Sequence, residues 1–146
     1  MSIDSGWIEI AYMLIKLAIA GLCGAIIGLE YKSNPTTYVI VLISVGSAVF
    51  TMVPLSNGFG VMTGPQSGLI SPVVVSIGLI TAGVIVKNHD IRAGLKMGAA
   101  MWISGAVGLA VGAGAYIPAV IVTLIGYVLI GKMEPVEDKD SDSDRF

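Results

Sequence analysis

The sequence is poor in charge. Only 12% of its 146 residues are Asp, Glu, Lys or Arg, while 55% are hydrophobic, and the mean hydropathy is +0.88. Soluble domains carry about 25% charged and about 45–50% apolar residues, so this chain has too little charge to cover a water-facing surface. Eight basic residues against ten acidic ones leave no basic patch for nucleic acid, and no nucleic-acid partner is expected. A single cysteine, Cys23, excludes an intrachain disulfide and leaves the redox compartment unread. The only histidine, His89, has Asp90 as its one obvious companion. A metal needs several convergent ligands, so neither a metal site nor a cofactor is expected. The opening MSIDSGWIEI has no basic stretch, unlike a cleaved secretory signal, so the first apolar segment is expected to remain in the protein.

What the sequence has is long apolar runs. About 20 mostly apolar residues cross a hydrocarbon core of about 30 Å. Five segments are candidates: Ile8 to Leu29, Thr37 to Leu55, Ser71 to Val86, Gly94 to Gly114 and Ile117 to Gly131. The expected fold is an all-α integral membrane protein, a bundle of five transmembrane helices over residues 1–132. Pro35 after Asn34, Pro72 after Ser71, and Pro118 are read as helix starts. Proline in a first turn loses no needed N–H, and the Asn or Ser before it can cap.

The few basic residues orient the bundle. Lys32, Lys87, Arg92, Lys96 and Lys132 lie at connections that five alternating spans place on one side, while Ser56 to Gly68 and the turn at Gly114-Ala115 carry no charge. The positive-inside rule then puts the N-terminus outside and the C-terminus in the cytoplasm. Residues 133–146 read as an acidic, disordered cytoplasmic tail, since blocks of like charge usually stay solvated. Asp138, Asp140, Asp142 and Asp144 alternate like the start of a calcium loop, but the glycine at its sixth position and the glutamate at its twelfth are missing. The outer connection SNGFGVMTGPQSG lacks the Lys-Ser/Thr ending of a phosphate loop.

Small residues recur at helix-packing spacings. Ala20, Gly24 and Gly28 lie four apart in the first span, and Gly78 and Ala82 four apart in the third. In the fourth, Gly98, Gly105 and Gly112 repeat every seven, with Gly108 four before Gly112. Lipid supplies no hydrophobic drive between helices, so close approach over small residues holds a bundle together. The first and fourth helices are expected to approach most tightly. The same faces would serve a homodimer or a membrane partner's helix.

Lys16 is the one charge well inside a span, and intramembrane charge is usually kept for use. It lies about 13 Å past Trp7 at about 1.5 Å per residue. Two readings stay open: its stem snorkels outward along Tyr12 toward Glu9, or it faces the bundle and binds an anion, a lipid headgroup or a partner's carboxylate. No span holds Asp or Glu at mid-depth, no catalytic Ser-His, Cys-His or paired-carboxylate set lies within the spans, and no enzymatic activity is expected.

The stretch KLAIAGLCGAIIGLEYK resembles the first helix of the MgtC/SapB family, a basic residue ahead of a small-rich helix ending in Gly-Leu-Glu. SIGLITAGVIVKNHDIRAGLKMGAAMWISGAVGLAVGAG is similar to that family's third and fourth helices. On this resemblance Lys16, Gly24, Gly28, Glu30, Gly78, Ala82, Gly83, Arg92, Gly94, Leu95, Trp102, Gly108 and Gly112 fall on family positions. It covers residues 10 to 130. The chain departs at Tyr31-Lys32, at Thr36-Thr37-Tyr38, at QSGLISPVVV and at Lys96-Met97, and the soluble C-terminal domain of longer members has no counterpart here. The resemblance implies a protein of a prokaryotic plasma membrane tied to growth at low magnesium, and a regulator that binds and restrains other membrane machines. A magnesium or other ion transporter working as an oligomer is the alternative. It also implies roles for Lys16, Glu30, Arg92 and Trp102, with Glu30 expected to pair with Arg92 or Lys87.

Overall fold

A computed structural model describes residues 3–31, 34–55 and 67–133. They form five α-helices: α1 (Ile3–Gly28), α2 (Asn34–Leu55), α3 (Ser67–Lys87), α4 (Ile91–Gly112) and α5 (Tyr116–Lys132). The first four are long and apolar enough to cross a membrane, and α5 is a shorter apolar helix of 17 residues. The expected tail and the connection at 56–66 lie outside the described residues, as does Lys32.

The side chains are arranged for lipid. Large apolar groups such as Leu22, Leu42, Phe50, Leu79, Val86 and Ile117 point outward, Val86 at 87% exposure. Ala20, Ala48 and Ala100 fill the interior with Ser44, Ser47 and Ser104. A water-soluble fold would invert this order. Hydroxyls are cheap in such an interior once bonded to backbone, and here they tie helix to helix. Ser44 Oγ donates to the Ala20 carbonyl (2.8 Å), and Ser104 Oγ to that of Ile40 (2.7 Å).

α4 is the hub and packs against all four other helices, whereas among the described residues α3 touches neither α1 nor α5. The glycines explain why. A Cβ at Gly24 would stand 2.9 Å from Ser44 Cβ, and one at Gly28 2.8 Å from Thr37 Cγ2, so α1 closes on α2. On α4 the glycines divide between two neighbours. Gly98 and Gly105 face Thr81 and Ile77 of α3, while Gly108 and Gly112 lie against the Ser44 and Ala48 carbonyls of α2. The backbone-level contacts therefore run α1 to α2 and α2 to α4, instead of α1 to α4 as expected. The Gly98, Gly105 and Gly112 repeat is not one seam, because α4 crosses from one partner to the other along its length.

Helix ends hold two differences from the sequence reading. α3 begins at Ser67, with Pro72 inside it. Proline this near an N-terminus removes at most one early bond, and the Ser76 hydroxyl donates to the Pro72 carbonyl (2.7 Å). Asp90, read only as a companion of His89, is the N-cap of α4 and accepts from the Arg92 N–H (2.9 Å). The other end of α4 closes in a Schellman motif. Ala115 N–H donates to the Ala110 carbonyl and Gly114 N–H to that of Val111, with Gly114 at φ 83°, where only glycine is unstrained.

Candidate functional site

Two clusters stand at opposite ends of α4. At its C-terminus the Schellman bonds leave the Gly112 carbonyl without an intrahelical partner, one of the orphan acceptors every helix end produces. Lys16 fills it: the ammonium donates to Gly112 O at 3.3 Å from a half-buried position on α1. The attraction has two sources, a charge-assisted hydrogen bond and the negative end of the α4 dipole. Lys16 thus faces the bundle. Tyr12 and Glu9, along which one of the two readings had it snorkel, are exposed on α1.

At the other end, the termini of α1 and α5 meet the first turns of α4. Lys96 repeats the device of Lys16, its ammonium donating to the carbonyl of Met133, the C-cap of α5, at 2.9 Å. The same ammonium lies 5.9 Å from the centroid of the Tyr31 ring, within cation–π range. Burial, with the Glu30 charge adding, pushes the Tyr31 phenol up to about 12, so at neutral pH it keeps its proton and can donate it to an acceptor. Arg92 and Lys132 are exposed beside it.

The remaining named residues fall as follows. Glu30 was expected against Arg92 or Lys87. Its carboxylate instead lies against Gly131 of α5, where a Cβ would be 3.4 Å away, and α1 makes no contact with α3. Trp102 is 46% exposed on α4, in a helix whose buried residues include Gly94, Gly98, Met101, Ser104 and Gly108. With Leu95 and Ala106, also exposed, it forms an open stripe. Gly78 has open space around it and Ala82 is exposed, so neither is used in packing among the described residues. Ala20, Gly24, Gly28, Gly98, Gly105, Gly108 and Gly112 are all buried. His89 is exposed, and among the described residues no three His, Cys, Asp or Glu side chains cluster as a metal site would need. Ser44, Ser104 and Lys96 were missed by the sequence reading; a serine beside a glycine-rich face was the available signal for the first two.

The family model described as MgtC family matches residues 17–139. The chain is 35% identical over 114 residues to Protein SapB of Bacillus subtilis (strain 168), covering 71% of this chain and 49% of that one. It is 33% identical over 129 residues to an uncharacterized protein of Haemophilus influenzae, covering 79% and 52%. It is 34% identical over 116 residues to the Escherichia coli (strain K12) protein named "Putative magnesium transporter YhiD", covering 73% and 53%. The chain thus spans about half the length of the curated relatives it matches. No solved structure matches it.

Proposed function

This chain belongs to the MgtC/SapB family, and from that premise we propose that it is a non-enzymatic regulator of magnesium homeostasis that acts by binding a membrane partner or a second copy of itself. The family and a relative named for magnesium transport support the link to magnesium. The mode of action rests on the open stripe of α4. The helix that every other helix packs on leaves one aromatic residue, Trp102, exposed midway along it. Tryptophan of lipid-facing helices normally gathers at the membrane surface, and at binding interfaces it is a frequent energetic anchor.

Packing supports binding over conduction by a single chain. The contacts between α1, α2 and α4 are closed at backbone level by Gly24, Gly108 and Gly112, and the hydroxyls of Ser44 and Ser104 donate to backbone carbonyls of neighbouring helices. By the distribution of basic residues, Arg92, Lys96 and Lys132 face the cytoplasm of a prokaryotic cell. A photo-crosslinking residue at Trp102 tests the reading, with one at Val86 as a lipid-facing control. A discrete adduct at Trp102 alone is expected, its mass giving the partner or a second copy. Absence of any adduct at Trp102, or equal adducts at both positions, would overturn it.

The alternative is transport of magnesium by an oligomer, favoured by the name of the Escherichia coli relative. It requires a path between copies, which magnesium flux into proteoliposomes measures directly.

A further inference from the structure

The ends of α1, α4 and α5 border an open cavity of ≈ 530 Å³, within the range of small-ligand sites, about 300–1,000 Å³. Among the described residues three cations, Arg92, Lys96 and Lys132, line it against one carboxylate, Asp90. That carboxylate is already engaged as the N-cap of α4. The remaining free groups are donors. Arg92 and Lys132 are exposed, and Lys96 spends one of its three donors on Met133. Tyr31 also lines the cavity, and its hydroxyl is buried with no hydrogen-bond partner among the described residues. A buried hydroxyl without a partner is costly and calls for an acceptor. The N-terminal end of the α4 dipole adds a positive field.

Several donors, excess positive charge and an unpartnered buried phenol describe one ligand chemistry. We propose that this cavity binds a phosphate group, with Arg92 and Lys132 as its charge partners, Lys96 as the third cation and the Tyr31 hydroxyl donating to a phosphate oxygen. The phosphate is an acceptor with negative charge, so it satisfies the phenol and the cations together. The site opens where membrane-crossing helices end, the depth of lipid headgroups, so the group belongs either to an anionic phospholipid or to free phosphate.

The test uses the full chain, purified in detergent and stripped of lipid. Native mass spectrometry compares retention of phosphatidylglycerol with that of diacylglycerol carrying the same acyl chains, which differs only in the headgroup. Thermal unfolding with inorganic phosphate forms the second arm. Preferential retention of phosphatidylglycerol identifies the lipid source, and a thermal shift with phosphate alone identifies the free anion. Either arm should weaken about tenfold in Arg92→Gln/Lys132→Gln, two exposed positions, and several-fold in Tyr31→Phe, which removes only the hydroxyl. If the double variant loses helical content, Tyr31→Phe decides alone. Equal retention of the two lipids with no phosphate shift, or unchanged binding in the folded variants, would overturn the proposal.

Discussion

The Lys16 ammonium reaches the Gly112 carbonyl at 3.3 Å, joining the middle of α1 to the last turn of α4. A lysine in an apolar span has a physical reason here. It stands level with the point where α4 stops and its carbonyls run out of partners, so the charge meets the negative end of a dipole. Lys96 does the same for α5 at Met133.

Removing the first of these caps should loosen one end of the bundle. Lys16→Met is expected to destabilise the fold by about 1–2 kcal/mol, the range for a cation at a partly buried helix C-terminus. Lys16→Arg should retain most of that. Unfolding in mixed micelles gives the magnitude, and amide exchange should quicken selectively around 111–115.

The glycines divide into those that are packed and those that are not. Gly108→Ala would drive a methyl into the Ser44 carbonyl, and Gly112→Ala would place one 2.6 Å from that of Ala48. Both should cost at the upper end of the about 1–3 kcal/mol typical of overpacking. Gly46 and Gly78 have open space around them, so alanine there should be neutral or slightly stabilising. Melting temperatures of the four variants check the contrast.

The hydroxyl ties are worth less. Ser44→Ala and Ser104→Ala should each lose about 0.6 kcal/mol, the average for hydrogen bonds between membrane helices. Loss of both should be close to additive if the bonds act independently, although α2 supplies the donor of one and the acceptor of the other. A double-mutant cycle measures the coupling.

Much of this architecture was legible in the sequence. Five helices, their order and the basic end follow from apolar length and the placement of Lys87, Arg92, Lys96 and Lys132, because both signals are local. Partners across the bundle were not legible. Spacing of four or seven says that Gly98, Gly105 and Gly112 approach something, but the crossing of α4 decides that the first two meet α3 and the last meets α2. Likewise Glu30 turned to Gly131 of α5; helix adjacency, which sequence does not encode locally, keeps α1 away from α3 and so from Lys87. The site at the basic end was half visible: Arg92 was named, Lys96 served as an orienting charge, and Tyr31 had been noted only as a departure from the family pattern.

Tyr31 should titrate well above an ordinary phenol. Its phenol is pushed from 10.0 to about 12, first by burial and then by Glu30. A raised folded value means that the fold favours the neutral form. This contribution is therefore complete below about pH 10 and is lost as pH rises toward and through about 12. Absorbance at the phenolate band, compared with Tyr31→Phe, should show a component near pH 12 missing from the variant.

The central claim is that this chain works by binding and not by carrying ions through itself. The most direct measurement is magnesium uptake into proteoliposomes holding the purified, folded chain. Uptake no faster than in empty liposomes is the predicted result. Saturable uptake that depends on the protein would contradict it and favour the alternative, a path between copies.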